Sequence, residues 1–405
     1  MRILVDCHCF DYVTSEGVNT HIRGLYSAVL RQAPEDWEFY FVSRYPEKLT
    51  WAGYGADADS DFSNEVISSR VHFIRLSDRG KWHRLLVEYP KIIRKNHIDY
   101  AHFQYTAPPF KSRFGCRGTL GGRCRTIVTL HDILFKDFAK YFPWKYKLVK
   151  GLLFYLTAKR ADLLLTVSEY SKGRISHHFG IPAERVFVTP NAVTRDFWEI
   201  DEAQARAFAS SQGVGKYILC VSRFEPRKRQ TLLLKTYLEM RLWEKGYDLV
   251  FIGRKTLSTP EFDRLLATMP DDARSHVFVH YHSPYNELKL WYRAASLFVY
   301  PAVAEGFGIP PIEAGAAKVP CICSNRTAMG DFTFFGENHI DCDDAALLQQ
   351  RIRAVLGLDG EAQIPPVDAI SEEIGEVYNW DAIARQLISC ICADAAAISS
   401  SRLGR

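Results

Sequence analysis

The chain has 405 residues, of which 47% are hydrophobic, a length that exceeds one ordinary core and predicts about two domains. Its 51 Lys and Arg against 47 Asp and Glu make it only mildly basic, which gives no nucleic-acid footprint. The first residues enter a strand-like run without a long apolar leader, and no apolar stretch reaches the roughly 18 residues of a membrane span. The ten cysteines follow no disulfide or C-x-x-C spacing, so we expect reduced thiols, no zinc site and a cytoplasmic protein.

The first half of the chain alternates short apolar runs with helical periodicity, which predicts an α/β domain. The predicted strands cover 2–5, 38–43, 71–76, 99–104, 125–132, 161–168 and 186–189, and the predicted helices cover 18–30, 82–96 and 169–179. Gly17 follows the first strand, where a glycine lets a backbone approach a diphosphate closely, although an ordinary turn explains it equally well. His131 ends the run 125–132 at the sheet edge where ligands bind, although a core or capping histidine is the commoner case.

Two segments of this half are basic. Residues 110–125 contain five cations, which favours a solvated loop over a contact with an acidic acceptor. Residues 135–160 alternate aromatic side chains with lysines. That pattern fits either an interfacial membrane helix or a core-packed helix whose lysines snorkel to water.

In the second half, residues 194–215 are polar and indicate an interdomain linker. The predicted strands that follow cover 217–222, 248–253, 277–281, 297–300 and 320–325, and the predicted helices cover 231–242, 286–295, 312–317, 345–356 and 372–397. Arg223 and Lys228 lie between the first of these strands and its helix, as a phosphate clamp or as a solvated basic turn. Asp341 and Asp343 spell D-x-D, but we expect no metal there.

The stretch 297–319, LFVYPAVAEGFGIPPIEAGAAKV, predicts a strand, a glycine-containing turn and a helix start. Pro310 and Pro311 suit the first turn of a helix, where a missing N–H group is no loss. Turn N–H groups and the positive end of the helix dipole face an anion there. Glu305 and Glu313 add carboxylate acceptors, so a ligand with both phosphates and hydroxyls, such as a nucleotide sugar, fits. From spacing alone, it is an equally good explanation that one of these glutamates is solvated at a loop tip and the other caps the helix.

The segment EGFGIPPIE, from Glu305 to Glu313, resembles the E-x7-E motif of retaining glycosyltransferases of family GT4, which have the GT-B fold. The resemblance covers nearly the whole chain. It implies an α/β architecture of two Rossmann-like parallel-sheet domains facing across a cleft. An acceptor-side domain would cover 1–195 and regain a C-terminal helix at 380–400, and a nucleotide-sugar-binding domain would cover 205–379.

The same resemblance implies a role for each candidate residue. Arg223 and Lys228 would hold the diphosphate, while Glu305 and His131 would contact the transferred sugar, and these four would be the catalytic residues. The remaining substrate-binding residues would be Gly17, Glu313 on the ribose, the turn residues Gly306, Phe307, Gly308 and Ile309, and, for the base, Val279 and His280. No cofactor or metal is implied. Ala192 and Ser222 stand where the family commonly has glycine.

The implied reaction moves a hexose from a nucleotide donor to a hydroxyl of a growing glycan, with retention at the anomeric carbon. The double proline most resembles mannosyltransferases of bacterial surface-polysaccharide assembly, which favours GDP-mannose over a UDP-hexose. Acceptors of such enzymes are often lipid-linked, so reversible contact of 135–160 with the inner face of the cytoplasmic membrane is an expectation. The alternatives are a UDP-sugar-dependent transferase, a GT-B nucleotide-sugar epimerase and a binding protein without catalysis.

Overall fold

The computed structural model describes residues 1–12, 16–52, 69–109 and 123–403. The chain divides into two compact units, Met1–Asn191 with Trp380–Arg405, and Ala192–Asn379. No helix among the described residues has the length and apolar character needed to cross a bilayer. The predicted basic segment 110–125 lies mostly outside the described residues.

The first unit is built on a parallel sheet of seven strands, in the order β3-β2-β1-β4-β5-β6-β7. The strands are β1 Arg2–Asp6, β2 Glu38–Ser43, β3 Val71–Arg75, β4 Tyr100–Gln104, β5 Arg125–Thr129, β6 Leu163–Thr166 and β7 Val186–Val188. The main helices are Glu16–Gln32, Lys81–His83 continued by a π-helical turn Arg84–Glu88 and by Tyr89–Lys95, then Trp144–Arg160, Glu169–Phe179 and the terminal Trp380–Leu403. Strands such as β4 and β6 are buried along their whole length, as expected when helices cover both faces of a parallel sheet.

The terminal helix belongs to the first unit because it packs closely on the helix Glu16–Gln32. Gly24 makes that approach possible, since a Cβ atom there would lie 2.1 Å from the indole of Trp380. Asp381 accepts a hydrogen bond from Arg31 at 3.0 Å, and Asp394 accepts one from the Tyr100 hydroxyl at 2.8 Å.

The second unit has a parallel sheet of six strands, in the order β10-β9-β8-β11-β12-β13. The strands are β8 Lys216–Val221, β9 Tyr247–Ile252, β10 Val277–His280, β11 Leu297–Tyr300, β12 Cys321–Ser324 and β13 His339–Ile340. The helices are Glu202–Ser211, Gln230–Glu239, Pro260–Thr268, Asp271–Arg274, Tyr285–Ala294, Ile309–Ala316, Ala345–Leu356 and Val367–Val377.

Three elements differ from the sequence-based expectation. Residues 194–215, predicted as a linker, include the helix Glu202–Ser211, whose Phe208 packs edge-on against Trp291 at 5.2 Å. The helix predicted at 372–397 is two helices, because the chain is extended at Asn379, which bridges to Val193. The strand predicted to end in His131 ends at Thr129 instead, and His131 follows in the loop.

In both sheets the strand order reverses beside the first strand, between β1 and β4 in one unit and between β8 and β11 in the other. Ligands of open α/β sheets bind outside the carboxyl ends of the strands at such a reversal. The loops after these four strands are therefore where each unit can hold a ligand.

Candidate functional site

In the second unit, the loops after β8 and β11 meet at a buried cluster around Glu305. Lys228, from the 3₁₀ turn Pro226–Lys228, places its ammonium group against the Glu305 carboxylate and donates to the Tyr300 hydroxyl at 2.9 Å. That hydroxyl donates to Glu305 Oε1 at 2.9 Å. The structure thus brings together Glu305 and Lys228, which the sequence analysis assigned separately.

Arg227 is the member of this cluster that sequence reasoning missed. Its guanidinium lies 3.2 Å from Glu305 Oε2 and 2.8 Å from Glu225 Oε2, and it donates to the carbonyl of Ala304 at 2.6 Å. The predicted partner Arg223 is one third exposed and lies beside Glu225 at 3.3 Å. Arg227 and Lys228 therefore hold Glu305 in this structure, and the assignment of Arg223 and Lys228 to the diphosphate stays a prediction.

The charge state of the cluster follows from these contacts. Burial alone raises the pKa of Glu305, but the charges of Lys228 and Arg227 and the hydrogen bonds outweigh it and lower that pKa to about 2. Burial and the neighbouring Arg227 lower the pKa of Lys228 to about 8, against the opposing pull of Glu305. At neutral pH Glu305 is a carboxylate and Lys228 is a cation. The site therefore combines three basic side chains, Arg223, Arg227 and Lys228, with two acidic side chains, Glu225 and Glu305.

The turn after Glu305 is fixed by residues that are distant in sequence. Thr327 accepts the Glu305 N–H group through its hydroxyl at 2.9 Å, although its φ of 57° is uncommon for a β-branched residue. Gly308 has a φ of 107° and precedes the helix Ile309–Ala316, and a Cβ there would lie 2.9 Å from the Met329 side chain. Backbone strain of this kind is maintained only where the surroundings over-determine the conformation.

The helix after this turn begins as predicted, with the two prolines in its first turn. Phe307 is buried against the rings of Phe332 and Tyr378. Because prolines carry no N–H group, Gly306, Phe307, Gly308 and Ile309 supply the backbone donors of the turn and helix start.

Glu313 has a different environment from Glu305, although both belong to one motif. It is partly buried, and the Tyr292 hydroxyl donates to its Oε2 at 2.8 Å. Burial, with a smaller push from Asp196, raises the pKa of Glu313 to about 7, against the hydrogen bond from Tyr292. With a pKa of about 7, Glu313 is only partly ionised at neutral pH.

The residues expected to read the base lie on β10, the outermost strand of the six-stranded sheet. The carbonyl of His280 accepts the N–H group of Gly253 at 2.9 Å, and its ring packs against Trp291 at 5.2 Å. Because backbone groups of a strand alternate in direction, those of Val279 face away from β9, toward the open edge of the described sheet. Val279 is therefore better placed than His280 to offer main-chain groups.

In the first unit, His131 lies at the carboxyl edge of the sheet, within a set of buried polar residues. Its Nε2 lies 2.8 Å from Gln104 Oε1, and the ring of His21 meets it edge-on at 5.0 Å. His21 bonds Asn191 at 3.0 Å. Burial lowers the pKa of His21 to about 4 and that of His131 well below its usual range. Both imidazoles are neutral at pH 7, so His131 offers hydrogen bonds and no charge.

Gly17 is exposed in the first turn of the helix Glu16–Gln32, which begins two residues before the predicted start at residue 18. The preceding residues 13–15 of the predicted glycine loop lie outside the described residues.

The D-x-D sequence is engaged by arginines. Arg326 pairs with Asp341 and with Asp343, each at 2.8 Å, and Arg229 also contacts Asp343. Within the described ranges, no group of three or more His, Cys, Asp or Glu side chains is arranged to hold a metal ion.

The segment 135–160 forms the helix Trp144–Arg160, which is both packed and exposed. Phe154 and Ala158 lie on its buried side. Its exposed side carries apolar residues at intervals of three or four, and the most exposed of these are Trp144, Leu148 and Leu152. The core-facing side agrees with the core-packed interpretation, and contact of the exposed side with a membrane stays a prediction.

Two family models match the chain, one over each unit. Residues 16–197 match the model described as Glycosyltransferase Family 4, and residues 201–363 match Glycosyl transferases group 1. The chain belongs to the family 4 glycosyltransferases. The resemblance inferred from the E-x7-E segment is thereby confirmed.

This glycosyltransferase is 29% identical over 273 residues to O-antigen chain mannosyltransferase B from Escherichia coli, which covers 65% of this chain and 69% of that protein. It is 28% identical over 257 residues to an O-antigen chain mannosyltransferase from Salmonella typhimurium, and this match covers 63% of this chain and 65% of that protein. These matches span about two thirds of each relative's length.

Among solved structures, a glycosyltransferase from Rickettsia africae superimposes with a TM-score of 0.70 at 14% identity, over 97% of this chain and 98% of that one. Such a likeness shows the fold alone. Together with the two parallel sheets, it confirms the predicted GT-B fold with two Rossmann-like domains.

Proposed function

We propose that this glycosyltransferase moves mannose from GDP-mannose to a hydroxyl of a growing, lipid-linked glycan, with retention at the anomeric carbon. The observation that carries the proposal is the buried cluster of Arg227, Lys228 and Glu305 at the strand reversal of the second unit. The choice of mannose is supported by the two O-antigen mannosyltransferase relatives.

The cluster suits the chemistry of a leaving nucleoside diphosphate. Negative charge grows on the diphosphate as the glycosidic bond breaks, and fixed cations aimed at that position stabilise the transition state. Lys228 and Arg223 supply charge there, and the N–H groups of the turn at Gly308 add donors. Arg227 keeps Glu305 ionised and oriented, so that its oxygens can accept hydroxyls of the transferred sugar. No metal ion or cofactor is part of the proposal.

The remaining candidate residues keep the roles first inferred for them. Glu313 accepts hydrogen bonds from the ribose, Val279 reads the base through its backbone, and neutral His131 contacts the transferred sugar. Gly17 lets a backbone approach a diphosphate closely.

A screen of nucleotide sugars tests the donor. GDP-mannose should raise the thermal unfolding temperature more than UDP-hexoses do, because binding to the native state alone stabilises it. Release of GDP should require an acceptor, which separates a transferase from an epimerase and from a binding protein without catalysis. Stabilisation by UDP-hexoses and not by GDP-mannose would overturn the choice of donor.

The exposed stripe of the helix Trp144–Arg160 supports reversible binding to an anionic membrane surface. Trp144, Leu148 and Leu152 present apolar side chains to solvent, and exposed Lys145 and Lys159 flank them. A surface of this kind combines apolar insertion with attraction to acidic headgroups, worth about 1 kcal/mol for each nearby cation. This binding would bring the enzyme to a lipid-linked acceptor.

Vesicle co-sedimentation tests the membrane proposal. Binding should rise with the fraction of anionic lipid and fall with salt, and it should be lost when Trp144, Leu148 and Leu152 are all changed to serine. The matched control is Leu257→Ser, which removes an exposed leucine of the second unit and should change nothing. Wild-type protein that stays in the supernatant at low salt would contradict the proposal.

A further inference from the structure

An aspartate and a histidine at the end of β1 form a pair that the proposed chemistry does not use. Asp6 is 1% exposed and accepts the hydroxyl of Tyr89 at 2.6 Å and the backbone N–H group of His8 at 3.1 Å. The ring atom Nδ1 of His8 lies 2.8 Å from both oxygens of the carboxylate. Asp6 and Tyr89 together hold the imidazole in one orientation.

The contacts of Asp6 also determine which nitrogen of His8 is available. Burial raises the pKa of Asp6, but its contacts with His8 and the hydroxyl of Tyr89 outweigh it and leave that pKa below its ordinary value. An ionised carboxylate only accepts hydrogen bonds, so Nδ1 carries a proton, and in the neutral imidazole Nε2 is then the acceptor atom. The side chain of His8 is about one fifth exposed, and Nε2 makes no hydrogen bond within the part of the chain that the structure describes.

An aromatic ring and a cation lie beside this nitrogen. The ring of Tyr12 meets His8 edge-on at 6.3 Å and is 45% exposed. The guanidinium of Arg44 lies 5.2 Å from the Tyr12 centroid, and buried Asp11 holds it at 2.9 Å. An exposed ring, a fixed donor and a fixed acceptor form a surface that can pack against an apolar ligand face and pair with polar groups at its rim.

The position of the pair in the sheet indicates what it faces. His8 follows β1, at the strand reversal of the first unit, and His131 follows β5, two strands away at the same edge. Two strand spacings place these loops about 10 Å apart. A separation of that size suits two adjacent sugar rings, one contacted from each loop.

We infer that His8, Tyr12 and Arg44 form the binding site for the acceptor sugar. Nε2 of His8 accepts a hydrogen bond from an acceptor hydroxyl, Arg44 donates to a ring oxygen or hydroxyl, and the ring of Tyr12 packs on the apolar face of the pyranoside. Asp6 and Tyr89 are positioning residues that act through His8. The inference rests on the proposed transferase function, because it takes His131 as the contact of the transferred sugar.

The test measures GDP release from GDP-mannose as the concentration of an octyl pyranoside is varied. Octyl α-mannoside, glucoside, galactoside and rhamnoside are the probes. His8→Phe keeps a planar ring without the acceptor nitrogen and should raise the KM for the effective probe about tenfold. His8→Gln, which offers a carbonyl acceptor, should recover part of that loss. Tyr12→Ser should raise the same KM.

The control variant is His72→Phe. His72 lies on β3, is partly exposed and is paired with Glu38 at 3.3 Å, and its replacement should leave the KM at its wild-type value. Stabilisation by GDP-mannose is measured on every variant, so that a failure of the proposed transferase function is distinguished from a failure of the acceptor site. If wild-type protein is not stabilised, the proposed function fails. If it is stabilised but His8→Phe shows a wild-type KM, or none of the four pyranosides accelerates GDP release, the acceptor site is overturned.

Discussion

The affinity for the donor should depend on pH through two residues, Glu313 and Lys228, whose pKa values lie close together. Glu313 must be ionised to accept ribose hydroxyls, and burial holds its pKa at about 7. Lys228 must be protonated to bind the diphosphate, and burial and Arg227 hold its pKa at about 8. Affinity for GDP-mannose should therefore peak between these two values. It should weaken about tenfold for each pH unit beyond either one, because the competent protonation state declines by that factor.

Isothermal titration with GDP-mannose from pH 5.5 to 9.5 measures this profile. The sugar diphosphate has no phosphate proton to lose in this range, so the acid limb reports the protein. Glu313→Gln should bind more weakly and lose the acid limb. Lys228→Arg, whose guanidinium remains charged at high pH, should lose most of the alkaline limb. An acid limb that persists in Glu313→Gln, or an alkaline limb unchanged in Lys228→Arg, would refute the assignment.

Three further predictions concern stability. Arg227→Gln should lower the free energy of unfolding by roughly 3 kcal/mol, because it removes a cation from two buried carboxylates. Arg229→Gln, at a partly exposed arginine, should cost under about 1 kcal/mol, and equal urea midpoints for the two variants would contradict this. Gly24→Ala should lower the melting temperature because its methyl group overlaps Trp380, and a wild-type value would show that the helices separate easily. Burial holds the pKa of His21 at about 4 in the folded protein, against an ordinary 6.5. Between these values the unfolded chain binds a proton that the folded protein does not, so roughly 3 kcal/mol of stability is lost as pH falls from 6.5 to about 4. His21→Gln should remove that part of the pH dependence in urea titrations at pH 7 and pH 5.

The strands could be located from the sequence because buried parallel strands are continuous apolar runs. The run Leu297–Tyr300 is a strand with the predicted bounds, and Glu38–Ser43 is another. The two prolines of the Glu305–Glu313 segment correctly indicated a helix start. These features depend on local composition and on backbone rules that a single segment obeys by itself.

The choice among the cations after β8 could not be made from the sequence. Arg223, Arg227, Lys228 and Arg229 follow one another within seven positions, and periodicity does not apply in a turn. Which of them points inward depends on the 3₁₀ turn and on the left-handed conformation of Arg229, whose φ is 59°. Glu305, which is 77 positions from Lys228, completes the site.

The difference between the environments of the two motif glutamates could likewise not be predicted from the sequence. Glu305 receives two cations from the loop after β8, whereas Glu313 receives a tyrosine hydroxyl from the helix Tyr285–Ala294. The orientation of His8 depends on Asp6, whose carboxylate accepts a hydrogen bond from Tyr89, 83 positions away from Asp6. In each case the chemistry of a residue is set by neighbours that only the fold brings close.

The charge cluster itself contributes little net stability, and its magnitudes show why. Lowering the pKa of Glu305 from 4.5 to about 2 stabilises the fold by roughly 3 kcal/mol above pH 4.5, and this is lost as pH falls through 2. Lowering the pKa of Lys228 from 10.5 to about 8 costs a similar amount at every pH below 8, because the buried ammonium holds its proton less tightly than in the unfolded chain. At neutral pH the two effects have opposite signs, so the net contribution of the pair is smaller than either effect alone. Because the buried ion pair adds so little stability, we attribute its presence to the placement of charged groups. Here those groups lie at the strand reversal, where a diphosphate would bind.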